Sequence, residues 1–206
     1  MEGPRGLQVL LDYGLRTNAE LLSSRGLALA HNPHDAVPIT LAPRDENAAA
    51  KAALLAAANV SAPFGLSVRA LQGDSDLLVA LRVIAATPTE LARSGEAFRG
   101  QPLSARNERK WRLLLRETVE ALLMEAEQET SAEEDRRLLA KMQPRNRTKS
   151  SSSGSMPRIR PEIRPGGRSE RRRRAALVCR LGEKMLLRAV LDELNQQLSL
   201  QRKQIG

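Results

Sequence analysis

A chain of 206 residues has material for one core plus tails, and its 41% apolar content is carried by Ala and Leu with only 2% aromatics, which favours helices over sheets. The net charge of +9 points towards nucleic acid only until it is located: twelve Lys or Arg against two Glu fall between Lys141 and Ala175, so the rest of the chain is close to neutral. No apolar run approaches the ~20 residues that span a bilayer, and the single Cys179 excludes an internal disulfide.

In chain order, Leu7 to Asp12 (LQVLLD) reads as a buried strand broken by Gly14. Met1 leads into this stretch with no basic leader, and is read as an internal or mispredicted start. Asn18 to Ser23 reads as a short helix capped by Thr17 or Asn18 and ended by Gly26. A second apolar piece, Gly26 to Ala30, precedes the turn residues His31 to Asp35 and a strand over Val37 to Leu41. This strand, turn, helix and strand unit is too small to hold a core alone.

The remainder is predicted to be helical. Lys51 to Asn59 is rich in Ala and Leu, Phe64 to Ala70 reads as extended, and Asp76 to Ala86 places Leu77, Leu78, Leu81, Ile84 and Ala85 at helical spacing. Asn107 to Gln128 carries Trp111, Leu114, Leu115, Thr118, Leu122 and Met124 near one stripe, with charges opposite. Ser131 followed by Glu134 is a capping-box signature for a helix running to about Met142. From Gln143 to Ser169 a serine run, four prolines and scattered Arg predict disorder. Beyond Arg171 to Arg174, the positions Leu177, Leu181, Met185, Val190, Leu191, Leu194 and Leu198 predict a long helix that packs antiparallel on the Asn107 helix.

Few residues suggest chemistry on their own. His31, His34 and Asp35 are close, but a proline intervenes and no third His or nearby Cys completes a ligand set, so no metal site is expected. Cys179 lies in an apolar helical run and is expected to be a small buried hydrophobe, not a nucleophile. The Arg171 to Arg174 run admits a phosphate-binding or nuclear-import reading beside that of a solvated linker end, and the scarcity of aromatics argues against nucleic acid.

The stretch Tyr13-Gly-Leu-Arg-Thr-Asn-Ala-Glu-Leu-Leu-Ser-Ser-Arg25-Gly-Leu27 resembles the end of the SET domain in protein methyltransferases of the Rubisco large-subunit methyltransferase type, where Tyr-Gly precedes Ser-Asn-Ala-Glu-Leu-Leu and Tyr-Gly-Phe. Asn32-Pro33-His34-Asp35 is similar to that family's linker into its helical substrate-binding domain. Further similarities follow in the same order: the Leu-Arg-Val helix at Asp76 to Ala85, Ser104 through Asn107-Glu108, the Thr-x-x-Glu-x-Asp element at Thr130 to Asp135, and Arg-x-Gly-Glu-Lys-x-Leu at Arg180 to Leu186.

The resemblance implies a mostly α chain: residues 1–36 as a SET remnant, 37–142 as the first part of the substrate-binding domain, 143–169 as a disordered insertion and 170–206 as the domain's last helix. It implies S-adenosylmethionine as the intact family's cofactor, with Tyr13 beside the lysine nitrogen as a catalytic residue. Arg25 occupies the second family tyrosine, at the cofactor side, and Leu27 the following Phe. The segments that supply most cofactor contacts are not in this sequence, so the chain alone is expected to bind none and to be inactive. The implied partner is a protein substrate, the Rubisco large subunit or another plastid or cytosolic protein, in the chloroplast or cytoplasm, or in the nucleus if the Arg run is a signal. An adaptor or scaffold whose basic segment binds acidic partners or nucleic acid is the alternative.

Overall fold

The computed structural model describes residues 14–142 and 167–205. The predicted strand at Leu7 to Asp12, Tyr13, and residues 143–166 of the Ser/Pro/Arg-rich segment lie outside the described residues.

Eight α-helices and one two-stranded sheet are found among the described residues, and five of the helices, the first, third, fourth, sixth and seventh in chain order, begin with a side-chain cap. In α1 (Asn18–Arg25) the Thr17 hydroxyl accepts from the Glu20 N–H while the Glu20 carboxylate accepts from the Thr17 N–H, and Gly26 ends the helix at φ 66, a conformation most side chains resist. β1 (Val37–Ile39) pairs antiparallel with β2 (Phe64–Leu66), Pro38 opposite Gly65. The segment read as extended from Phe64 to Ala70 is therefore strand for three residues only, and then tightens into a 3₁₀ turn at Arg69–Leu71. Between the strands lies α2 (Ala48–Ala57). Gly26 to Ala30 forms no regular element, with Leu27 and Leu29 exposed.

α3 (Asp76–Ala85) is the centre of the fold. Every residue from Leu77 to Ala85 is buried, so this helix is covered all round rather than along one stripe. Two short helices not anticipated from the sequence, α4 (Pro88–Leu91) and α5 (Ser94–Phe98), turn the chain towards α6 (Ala105–Glu127), which Ser104 caps. α7 (Ala132–Lys141) begins with the expected Ser131–Glu134 box. α8 (Gly167–Ile205) runs 39 residues and takes in residues 167–169 of the segment predicted to be disordered.

The most extensive packing is α6 on α8. Arg112 near the start of α6 meets Gln197 late in α8, while Glu127 at the end of α6 meets Arg188 further back, which makes the pair antiparallel as expected. Trp111, Leu115 and Val119 face Leu187, Val190 and Leu194 within one core shared with α3.

Three residues expected on the packed stripes are not in it: Met124 is 74% exposed, Met185 is 48% exposed, and Leu181 is only partly buried. At about 100° per residue, Met124 lies roughly 220° around α6 from Trp111, and Met185 lies roughly 180° around α8 from Leu194. Val119 and Leu187 fill the stripe instead.

Candidate functional site

The motif residues picked out in the sequence converge on buried polar ties rather than on a reactive centre. Arg82, on the central helix, gives Nε to Glu108 Oε1 at 2.7 Å and Nη1 to the Gly100 carbonyl at 2.7 Å. Asn107 Nδ2 donates to the Arg82 carbonyl at 2.9 Å, and Ser104, Asn107 and Glu108 therefore fix the start of α6 against α3. Arg112 adds a second bond to Glu108, 3.1 Å, and its guanidinium lies 4.4 Å above the Trp111 ring. Gly100, at φ 76, is confined by this arrangement: a Cβ there would stand 2.1 Å from Asp74 Oδ1.

A second tie joins α7 to α8. Asp135 and Lys184 have fully buried side chains, and Lys184 Nζ donates to Asp135 Oδ2 at 2.7 Å and to Thr130 Oγ1 at 3.1 Å. Arg180 holds the same carboxylate through both Nε, at 3.1 Å, and Nη2, and the Thr130 hydroxyl donates to it at 3.0 Å. Burial alone would push the Asp135 carboxyl up, but bonds from Arg180, Lys184 and Thr130 outweigh it and hold the group below its ordinary value. Burial without these partners would leave both charges costly.

The N-terminal arm is tied in the same manner. Asn18, 2% exposed, gives its backbone N–H to Asp35 Oδ1 at 2.8 Å and its side-chain amide to Asp35 Oδ2 at 2.8 Å, while its own oxygen accepts the Leu29 N–H at 2.9 Å. Asp35 is thereby engaged as a structural acceptor. No group of three His, Cys, Asp or Glu that could hold a metal is found among the described residues.

Arg25 is exposed on the last turn of α1. The cleft touched by that helix, through Ala19, holds about 180 Å³ and is lined by Asp35, Val37, Cys179, Glu183 and Leu186. That is below the usual range of ligand pockets, roughly 300 to 1,000 Å³. Cys179 is partly exposed at this cleft rather than fully buried, and burial first, then the Asp35 and Glu183 charges, push its thiol up, away from nucleophilic form.

A cleft of about 510 Å³ opens between the lead into α2 and the outer face of α6. It is lined by Leu41, Arg44, Asp45, Lys110, Leu114 and Glu117 among others. Its rim is tied to the core: buried Lys51 bonds both Asp45 and, at 2.8 Å, the Ile84 carbonyl on α3, and the Lys51 bond is the main influence holding the Asp45 carboxyl below its ordinary value. The sequence gives no periodic signal for Lys51 at a buried position, since the lysine sits among alanines and its partner Asp45 lies in a loop.

Residues 42–187 match the family model of the Rubisco LSMT substrate-binding domain. The chain belongs to that family. A search of curated proteins finds no match. The matched span contains the Arg82–Glu108 and Asp135–Lys184 ties and most of the cleft beside α6, so these ties frame a substrate-recognition module of a methyltransferase-family protein. A substrate-binding domain of this kind implies a protein substrate. Among the described residues no helix is long and apolar enough to cross a membrane. Residues 1–41, which include Tyr13 and Arg25, precede the matched span.

Proposed function

We propose that this chain supplies protein-substrate recognition to a SET-domain protein-lysine methyltransferase, with residues 1–36 as the end of the catalytic fold and the cleft between residues 40–45 and α6 as the surface that meets the substrate. The observation that carries this reading is the family match over residues 42–187, which takes in the frame beneath that cleft. A protein-binding surface gains from preorganisation, and a concave lining that mixes Leu41 and Leu114 with Arg44, Lys110 and Glu117 suits a polypeptide of mixed polarity. Tyr13 is proposed to lie beside the substrate lysine nitrogen and Arg25 at the cofactor side of the same catalytic fold. S-adenosylmethionine would supply the methyl group to the intact enzyme. The substrate class is a protein lysine, on the Rubisco large subunit or another plastid or cytosolic protein.

The test starts from the endogenous polypeptide. Antibodies raised to residues 14–142 would recover it from source cells, and the recovered material would be incubated with radiolabelled S-adenosylmethionine and extract proteins. Label on lysine of an extract protein is expected. Absence of label, together with peptide mapping that shows no SET sequence upstream of residue 14, would overturn the proposal.

A further inference from the structure

The end of α7 and the start of α8 enclose a cleft of about 470 Å³ whose apolar lining is Leu138, Met142 and Leu177 and whose rim carries Lys141 and Arg173. A neighbouring hollow continues along Leu177 and Ala176 to Arg180. The arginine run is helical, which changes how it reads: successive residues turn about 100°, so the four arginines do not form one linear epitope. Arg173 shares a stripe with Leu177 and Arg180 and faces the cleft, whereas the Arg172 side chain passes beside Gly26 on α1.

Arg168, Arg171, Arg173 and Arg174 are exposed and have no ion-pair partner among the described residues, and Lys141 adds a further charge across the cleft; Glu170 is the one acidic residue lining it. This concentration of arginine in the first turns of a helix is unfavourable, because the helix N-terminus already carries partial positive charge and cations are better placed at the other end. An anionic occupant would relieve that repulsion. The apolar floor identifies which anion. A phosphate backbone would gain nothing from Leu138, Met142 and Leu177, and no aromatic residue lines the cleft for a base to stack on. A bilayer is met by protruding apolar side chains, and these line a concavity.

We infer that this cleft docks an acidic segment of a partner protein, with a leucine-like side chain seated against Leu138 and Leu177 and flanking carboxylates meeting Arg173 and Lys141. This site is separate from the proposed substrate cleft beside α6, and it stands or falls independently of it.

The test uses the full chain and a short fluorescein-labelled peptide of Glu residues with Leu at every fourth position, titrated by fluorescence anisotropy. Its companions are the same peptide with Ser in place of Leu, a DNA duplex, and phosphatidylserine vesicles. The Leu peptide is expected to bind at least about tenfold more tightly than the Ser peptide. Lys141→Glu with Arg173→Glu is expected to weaken it by a similar factor, while Arg202→Glu with Lys203→Glu, at the far end of α8, leaves it unchanged. Circular dichroism of both variants would confirm that each is folded. Equal affinity for the Leu and Ser peptides would overturn the inference, as would tighter binding to DNA or vesicles, or an equal loss in the control variant. Binding that shows only when residues 145–164 are deleted would make the chain's own segment the occupant, and would overturn it as well.

Discussion

The helical domain and the arm that precedes it handle apolar surface in opposite ways. From Leu77 to Ala85 the central helix hides every side chain, including the Arg82 guanidinium stem, whereas between residues 14 and 36 Leu15, Leu27 and Leu29 are 81%, 44% and 50% exposed. The domain owns its core. The arm is tied within itself by directional polar contacts, Asn18 to Asp35 and Leu29, has Leu21 as its buried apolar residue, and rests on α8 through α1. This contrast teaches that the two regions differ in what they need: one has a continuous core, with Met124, Met185 and Leu200 left at its surface, and the other has one buried leucine and presents three to solvent, which accords with the proposal that residues 1–36 belong to a catalytic domain.

The sharpest way to break the comparison is at the tie between α7 and α8. Asp135→Ala leaves Lys184 buried without its carboxylate, and is expected to cost about 3 to 5 kcal/mol in chemical denaturation. A cost below 1 kcal/mol would mean that Lys184 reaches water without its partner. Next comes Leu115→Ala, fully buried between α6 and α8, at roughly 2 to 5 kcal/mol, against an unchanged midpoint for exposed Arg109→Ala. Equal midpoints would place this face of α6 outside the core.

The acid limb gives a third measurement. Because the folded state holds Asp135 below its unfolded value of about 3.9, its stabilisation is fully present above that value and is lost as pH falls through the lower, folded one. The gap between the native protein and Asp135→Asn is expected to be constant from neutral pH to about 4 and to close below it. Glu183 has the opposite sign. Burial first, then the charge of Asp35, push its carboxyl up, against Lys184, so its ionised form costs stability above the unfolded value. Glu183→Gln is expected to raise the neutral-pH midpoint slightly, with the gain vanishing near pH 4. The smallest effect belongs to the arm: Leu27→Ser and Leu29→Ser are expected to stay within about 0.5 kcal/mol of the native chain.

How much of this was legible in the sequence depends on the kind of signal. Helices with caps and stripes were readable: Ser131 with Glu134 and Gly26 after α1 follow from local chemistry, and the pairing of α6 with α8 from two apolar stripes that each need cover. The box at Thr87 and Glu90, with Pro88 at the first helical position, is the same signal for α4. Met124 and Met185 are apolar, but their angular positions take them off the packed stripes. The long-range ties were legible only as motifs. Nothing local to Asp135 says that Lys184 lies 2.7 Å away across 49 residues, because a charge that fold context will bury looks like any solvated charge in the sequence. For the candidate site, the resemblance named Tyr13 and Arg25, while the cleft beside α6 depends on loop residues such as Arg44 and Asp45 that no periodicity marks.

The cleft beside α6 is proposed to meet a protein whose lysine is methylated. Its most direct test places a photo-reactive side chain at position 110 of the full chain, with a second at position 202 as control, and maps the cross-links formed in source-cell extract by mass spectrometry. The expected result is a small set of proteins cross-linked from position 110 and not from 202, at segments neighbouring a lysine found methylated in those cells. Cross-links of equal yield and identity from both positions, or from position 110 only to segments without a methylated lysine, would contradict it.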